Sequence, residues 1–507
     1  MRRLAKILLG VLVALALGLG ALLWRLDSGP LSLAFAQPFL ETVLDRSLPY
    51  RVTFHDPELV WARDAGQLAL AVHDIEVRSP QGELVAAAPF LRSTVSVAAL
   101  LLERRLALVD IQLDLPRIDL KRNAERRLVL HFDQRIEGVP LGETAGGGGL
   151  GTLLGEDGEV TDPRLASIEL VKVTAPELGF EDEVTHERGM ATNAVFELRR
   201  DGAKWATSLG GDVGGGRVAL TGEPTTTPAR PDVTVALQDV RPRVLAAFQP
   251  EIPLDGLDLP VSGTVRFSLD AMTTSLGAAQ IDLTLGAGTV EVATLGLPPI
   301  AVERGLARAS LPAGWRSATI DRLEVTSPEF TLGVTGEVGA GDGAVTADLA
   351  ADAEELDVAD VLRLWPAEVA ATARAWIAAN VTAGQLSALS LKLHEPASGS
   401  GEIALGGGFA FAGGEVRYLD TMPVASGLAG RAVLADNSLK VELTAGRTGE
   451  VRLERGSVTV TNLIGDATSQ LRVVADLSST IPAAMRLLDA DPAALRRNTR
   501  LPPDRAS

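Results

Sequence analysis

The sequence predicts a mainly β protein that begins with a transmembrane helix and contains only a few short helices. Long stretches alternate apolar and polar residues in the rhythm of strands that bury one face. Hydrophobic residues make up 46% of the 507 positions and aromatic residues only 4%. The apolar surface is therefore mostly Val, Leu, Ala and Ile. One long uncharged apolar stretch stands at the N-terminus.

That stretch, ILLGVLVALALGLGALLW, occupies residues 7–24 and is long enough to span a bilayer as a helix. Residues 1–6 carry three positive charges, which favours a cytoplasmic N-terminal tail. A cleaved signal peptide is the alternative, because Ala34-Phe35-Ala36 resembles a cleavage site. This site lies well beyond the apolar stretch, so we favour an uncleaved anchor with the remaining chain outside the cytoplasm.

A first β region is expected over residues 25–141, after a short helix at Pro38 to Leu48. Its clearest strands lie between residues 106 and 120, with a slip in phase near Val109 and a break at Pro116. One face of these strands is apolar and comprises Leu106, Leu108, Ile111, Leu113 and Leu115.

A Gly-rich loop is expected over residues 142–163, and a second β region over residues 164–355. Within the second region one apolar face comprises Leu323, Val325, Phe330, Leu332 and Val334. A strand that ends in proline recurs at Ile75–Pro80, Val171–Pro176 and Leu323–Pro328. We expect a strand–break–strand unit that has been duplicated with irregular spacing.

Residues 356–385 form an Ala-rich insert that we expect to be helical from about Val358 to Ala379. One helical face would carry Trp365, Val369, Ala373, Trp376 and Ile377. Pro366 suits a first helical turn, and Gly384 lies just past an expected end near Asn380. A further β region over 386–480 and a C-terminal helix and tail over 481–507 complete the chain.

The sequence offers no catalytic or metal-binding motif. Its net charge of −18 repels phosphate backbones, which argues against nucleic acid as a partner. The absence of cysteine excludes disulfides, Cys-ligated zinc and thiol nucleophiles. The five histidines have no metal-ligand spacing, and GGGGLG at Gly146–Gly151 fits a flexible loop better than a dinucleotide site. We expect neither an enzyme nor a cofactor.

The aliphatic strand faces leave two interpretations open. They can close on each other as an ordinary core, which composition alone favours. They can instead remain open as a smooth concave face, which would expose more apolar area than a monomer tolerates unless acyl chains occupy it.

The segment Leu40–Arg122, together with the preceding anchor, resembles the AsmA-like superfamily of Gram-negative envelope proteins. Leu364–Leu393 and Phe409–Gly430 resemble its YhdP-like branch. The resemblance implies an elongated, curved antiparallel β-sheet trough that is held in the inner membrane by a single span. The bulk of the chain would lie in the periplasm, and phospholipids would be its ligands. The chain is shorter than the long members of this branch, so we expect its C-terminal portion to be missing.

The resemblance implies bridge-like lipid transfer between the inner and outer membranes. The two apolar strand faces would then line the lipid groove. The insert would pack on the sheet as a local core, which we favour, or would gate the groove through Trp365, Val369, Trp376 and Ile377. The rival interpretation is a membrane-anchored scaffold or regulator of outer-membrane assembly, with a closed sheet and no lipid transfer.

Overall fold

The structure is a computed structural model. It describes residues 25, 29–47, 51–62, 67–78, 82, 84–95, 108–123, 128–131, 139–140, 167–183, 186, 188–202, 204–225, 232–245, 254–270, 275–291, 296–341, 344–367, 369–395, 404–420, 422–463 and 470–489. The expected cytoplasmic tail at residues 1–6, the expected anchor at residues 7–24 and the Gly-rich loop at residues 142–163 lie outside these ranges. Within these ranges, no helix combines the length and the hydropathy that a membrane crossing requires.

The chain divides into two compact units. Unit 1 comprises Met1–Leu254 and Arg266–Gly277, and unit 2 comprises Asp255–Val265 and Ala278–Ser507. Strands dominate both units and helices are short, so the predicted mainly β class is confirmed.

The first helical elements described in unit 1 are a 3₁₀ turn at Ala34–Ala36 and helix α1 at Gln37–Ser47, close to the predicted first helix. Its strands are β1 Leu31–Ser32, β2 Arg51–Ala62, β3 Gln67–Arg78, β4 Leu84–Val95, β5 Leu108–Asp114, β6 Ile118–Arg122, β7 Leu128–His131, β8 Val139–Pro140, β9 Leu170–Asp182, β10 Arg188–Asp201, β11 Lys204–Val213, β12 Gly216–Thr225 and β13 Asp232–Val240. A 3₁₀ turn follows at Pro242–Leu245.

The strands of unit 1 pair mostly with their neighbours in sequence. Strands β1 to β5 form an antiparallel meander, and β9 to β13 form a second one. Strand β9 joins them, because its first half pairs in parallel with β5 and its second half in parallel with β6. Strands β6, β7 and β8 pair antiparallel with one another in sequence order.

The predicted interruptions of the first apolar face are confirmed. The register between β4 and β5 shifts beside Val109, and the chain leaves the strand between Asp114 and Ile118, around Pro116. Pro328 likewise follows the end of a strand at Thr326.

The expected break at Pro176 is wrong, because β9 runs continuously through it. Proline lacks the N–H that a ladder requires. The sheet accommodates it because the ladder with β10 skips this one position: Thr192 pairs with Glu177 and Ala194 with Ala175 in an unbroken register, while Pro176 and Asn193, which has φ 53°, form no pair. The pairing with β5 also ends before it, at Thr174.

Unit 1 has a closed core under α1. The core contains the side chains of Leu44, Phe54, Leu70, Val72, Ile75, Leu115, Ile118 and Val173, together with neighbouring aliphatic residues. Phe54 is only 1% exposed. Amphipathic helix α1 contributes Leu40 and Leu44 to this core from above the sheet.

Unit 2 is a long meander with a small sheet beside it. Its strands, of which β15 and β16 also have residues in unit 1, are β14 Leu257–Asp258, β15 Val261–Asp270, β16 Ser275–Leu285, β17 Gly288–Val290, β18 Ile300–Val302, β19 Arg304–Leu311, β20 Ser317–Thr326, β21 Thr331–Gly341, β22 Ala344–Asp357, β23 Val381–Glu395, β24 Ala404–Val416, β25 Ala425–Ala435, β26 Ser438–Thr448, β27 Val451–Thr461 and β28 Gln470–Ser478. Its helices are α2 Val358–Leu364, α3 Ala371–Asn380 and α4 Ile481–Asp489.

Strand β16 pairs with β19, and every following strand up to β28 pairs antiparallel with the next. The small sheet consists of β14, β17 and β18.

The expected single helix over the Ala-rich insert is wrong. Two helices form, because Trp365 precedes a proline and adopts an extended conformation with ψ 113°. Pro366 also cannot donate to the carbonyl of Leu362, and Arg374 of α3 donates to it instead at 3.1 Å. Pro366 therefore follows α2 rather than opening a helix, and α3 begins only at Ala371.

The end of the insert is partly as expected. Helix α3 ends at Asn380, the predicted position. Gly384 is not a helix cap, since it lies inside β23 with φ 150°. The common helical face that was expected for Trp365, Val369 and Trp376 does not form, because the first two lie in the connection between the helices.

Candidate functional site: an apolar row across eleven strands

One cross-strand row of unit 2 is apolar from end to end. Residues that lie directly opposite each other in antiparallel strands project on the same face. Following these partners from β16 to β28 gives Leu283, Ala307, Leu323, Val334, Ala351, Leu391, Gly407, Leu434, Leu439, Val460 and Leu471. We call these eleven residues the apolar row. Its only residue without a side chain, Gly407, has φ 131°, a conformation that favours glycine.

The row is not covered as a protein core would be. Ten of its eleven residues are half-buried and the last, Leu471, is 67% exposed, so none of them is fully buried. In unit 1, by contrast, aliphatic residues on the sheet are closed off under α1. An apolar row of this length that is nowhere fully buried exceeds the scattered apolar residues of an ordinary surface.

Further apolar pairs on the same face widen the row. Val441 lies opposite Val458, and Val458 lies opposite Val473. Val325 lies opposite Leu332. With strands about 4.8 Å apart, the ten intervals of the row span about 48 Å. An acyl chain reaches about half the ~30 Å hydrocarbon core of a bilayer, so the row is long enough for several chains.

The opposite face of the same strands is polar. The ion pairs Arg322–Asp352 at 3.1 Å and Lys440–Glu442 at 2.8 Å lie on it. Arg322 reaches Asp352 across β21, where Gly333 leaves the space, since a Cβ there would lie 2.8 Å from the guanidinium. The strands therefore alternate between a charged face and an apolar face along most of their length.

Helix α2 covers one stretch beside the row. Its side chains Val358, Val361 and Leu364 pack against a cluster that lies mainly on β21 to β24. The cluster consists of Ile300, Phe330, Leu332, Ala353, Leu356, Leu386, Leu389, Leu391 and Phe409. Because Leu391 belongs to both sets, the cover adjoins the row directly.

Arg363 attaches α2 to the turn between β20 and β21. Its guanidinium lies 3.3 Å from Glu329 and 6.0 Å from the centre of the Phe330 ring. The hydroxyl of Ser327 donates to Glu329 at 2.7 Å, and this bond together with Arg363 holds the pKa of Glu329 below its ordinary value. Glu329 therefore stays ionised at neutral pH and retains Arg363 as its partner.

The second set of predicted groove residues is brought together in unit 2. Leu323 and Val334 belong to the apolar row, and Val325 and Leu332 form the next pair on the same face. Phe330 is instead buried under α2, with 5% of its surface exposed.

The first set belongs to unit 1. Leu106 lies outside the described residues, and Leu108 lies opposite Val95 in the ladder. Ile111 is half-buried. Leu113 packs against the closed core of unit 1 and Leu115 is part of it.

Nine of the eleven residues of the row were not predicted from the sequence; only Leu323 and Val334 were. The signal was available, because SLKVELT at 438–444 alternates apolar and polar residues without interruption. The tryptophans of the insert were predicted to pack on the sheet or to gate the groove. The side chains that cover the sheet are instead Val358, Val361 and Leu364 of α2.

The two tryptophans of the insert differ in their surroundings, and this difference is testable. The indole of Trp365 is half-buried and donates to the carbonyl of Val369 at 2.6 Å, whereas Trp376 is 49% exposed. Trp365→Phe removes a hydrogen bond worth about 1 kcal/mol and should speed exchange of the backbone amides of Val369 and Ala370 about fivefold. Trp376→Phe is the matched control, with an expected change of less than about 0.5 kcal/mol. Equal effects of the two substitutions on hydrogen exchange would contradict this assignment.

Chemically, the row can bind apolar chains and little else. No group of three or more His, Asp or Glu that could hold a metal occurs among the described residues. No protein-family model, no curated protein and no solved structure matches this chain.

Proposed function

We propose that this chain binds lipid acyl chains along the apolar row of unit 2. In this proposal it is an AsmA-like protein, anchored in the inner membrane by residues 7–24 with its bulk in the periplasm. It assists phospholipid transport, or keeps lipid balanced, between the inner and outer membranes. The observation that carries the proposal is the apolar row itself, which crosses eleven strands without a polar residue and without full burial.

The physical basis is the cost of apolar surface in water. Each methylene removed from water contributes about 0.8 kcal/mol, so a continuous apolar face would remove most of the cost of moving an acyl chain. The headgroup would stay in water at the side of the face. Such shielding requires no cofactor and no catalytic residue.

Two exposed aromatic residues support a position close to a membrane. Phe35, in the 3₁₀ turn before α1, is 86% exposed, and Phe39, in the first turn of α1, is 68% exposed. They follow the apolar stretch at 7–24 by only 11 and 15 residues. Aromatic side chains at that distance suit the membrane interface.

The alternative function is a membrane-anchored scaffold of outer-membrane assembly without lipid transfer. The closed core of unit 1 favours it, because Leu113 and Leu115 are packed there and offer no apolar face to a lipid. If the apolar row of unit 2 were closed off in the same way, it could not bind lipid either.

Photo-crosslinking in cells tests the proposal. A photoreactive residue at Val441 on the apolar face should give lipid adducts, detected by mass spectrometry of the purified full chain. The adjacent position Lys440, which is exposed on the charged face, is the matched control and should give none. Adducts at neither position, or equally at both, would contradict lipid binding by the row and favour the scaffold.

A further inference from the structure

The last strand of the meander carries an unusual density of exposed apolar side chains. Leu471 is 67% exposed, Val473 58%, Val474 57% and Leu477 51%. These residues lie within the nine residues of β28. A strand this apolar would normally be covered or protected.

Among the described strands, β28 pairs only with β27. The backbone N–H and C=O groups on its other edge therefore have no strand partner among the described residues. Strand β28 contains neither proline nor lysine, and its two charged residues, Arg472 and Asp476, both lie on one face, so the edge is only weakly protected. Such an edge favours the addition of another strand.

The sequence of β28 is complementary to itself when it is reversed. In an antiparallel pair centred on Val474, Arg472 lies opposite Asp476 of the second strand, and Gln470 lies opposite Ser478. On the other face Leu471 lies opposite Leu477 and Val473 opposite Ala475. A register shifted by one residue would place apolar residues opposite polar ones.

We propose that β28 is a docking strand for a second copy of this chain, with the two strands paired antiparallel about a two-fold axis at Val474. The self-complementarity favours a second copy over an unrelated strand, because an interface with two-fold symmetry must match its own reverse. Two opposite-charge pairs, Arg472 with Asp476 in each direction, fix the register. Asp476 already accepts from Arg455 at 2.7 Å through one oxygen, which leaves the other for Arg472.

This pairing has a consequence for the apolar row. A two-fold axis perpendicular to the sheet keeps the same faces on the same side. Leu471 of one copy then meets Leu477 of the other, and the two apolar faces join into one. The inference stands on the strand edge and does not rest on lipid binding.

The absence of native cysteine allows a clean test in the full chain. Residues directly opposite in an antiparallel pair have Cα atoms about 4.5–5.5 Å apart, within disulfide range. Val474→Cys should therefore give a disulfide-linked species of twice 53.1 kDa after mild oxidation of membranes from producing cells. Val433→Cys is the matched control, because Val433 is 54% exposed on the charged face of the internal strand β25 and should remain monomeric.

A mixture experiment tests the register. Gln470→Cys and Ser478→Cys chains, carrying different tags, should crosslink to each other. Two Gln470→Cys chains, or two Ser478→Cys chains, should not crosslink to each other, because the two equivalent positions would lie about 27 Å apart. In the Val474→Cys background, Arg472→Glu should lower the crosslinked fraction severalfold, since a carboxylate at 472 would face Asp476 of the second copy.

Three results would overturn the proposal: no crosslink at Val474, equal crosslinking at Val474 and Val433, or a product of another mass. The last would identify a strand of a different protein as the occupant. Lipid adducts at Val441 can be scored in the same cells, so failure of the docking strand and failure of lipid binding are distinguishable.

Discussion

Replacing Arg122 by methionine is expected to destabilise the junction of β6 and β9 by about 3–5 kcal/mol. Arg122 donates through Nε to the carboxylate of Asp182 at 2.8 Å, and its Nη2 donates to the same oxygen. The side chain of Asp182 is 0% exposed and that of Arg122 is 22% exposed. The substitution removes the cation beside a carboxylate that has no solvent-exposed surface.

The neighbouring ion pair between β9 and β10 is the control. Arg188 lies 2.8 Å from Glu181, and its side chain is 78% exposed. Arg188→Met should change stability by less than about 0.5 kcal/mol, because exposed ion pairs contribute little. The double variant Arg122→Met with Asp182→Asn should recover much of the loss, since it removes the buried charge.

Hydrogen exchange of β6 and β9 is the appropriate measurement, because a chain with two units has no single unfolding midpoint. Equal protection in the Arg122→Met and Arg188→Met variants would contradict a structural role for the buried pair. No recovery in the double variant would assign the loss to packing of the long Arg122 side chain rather than to charge.

The sequence determined the strands well where local patterns suffice. Alternation predicted β5 and the strands around residues 323–334, and Pro116 and Pro328 marked real ends. Pro176 did not, because the ladder with β10 skips the pair of Pro176 with Asn193 and continues in the same register on both sides. Such compensation depends on a residue that is distant in sequence, so local reading misses it.

The insert illustrates a second limit of sequence reading. Its composition correctly indicated helix, and the end at Asn380 was found. The break came from Pro366, whose effect on Trp365 is local and could have been weighed against the helical spacing. The hydrogen bond from Arg374 to the carbonyl of Leu362 could not be predicted from the sequence, because it requires the two helices to meet in space.

The candidate site was only partly predictable for a related reason. Alternation identifies the apolar side of each strand, and it correctly placed Leu323 and Val334 on one face. It does not say whether another layer covers that face. Leu115 and Leu323 have the same kind of pattern, yet α1 closes the core around the first while the second stays half-exposed.

Replacing Val458 by aspartate is expected to lower the lipid retained by the full chain at least about tenfold. Val458 lies between Val441 and Val473 on the apolar face. An aspartate at the centre of a bilayer costs about 2.5–3.5 kcal/mol, and about 1.4 kcal/mol corresponds to a tenfold change in binding. Because the face is half-exposed, we expect part of that cost rather than all of it.

The neighbouring residue provides the control for this substitution. Thr459 lies on the charged face between Lys440 and Arg472, where an aspartate gains two cations. Thr459→Asp should therefore leave both lipid content and hydrogen exchange of β26 to β28 unchanged. Lipid per protein, measured by mass spectrometry after purification, compares the two variants directly.

The outcome separates the two functions because Val458 has a different environment in each. In an open, lipid-bearing face the strands of the Val458→Asp variant stay protected from exchange while lipid is lost, since water can reach the new charge. In a closed core the same charge has no solvent, so β26 to β28 would lose protection together. Loss of protection would favour the scaffold, and lipid retention equal to that of Thr459→Asp would exclude the apolar row as the place where acyl chains bind.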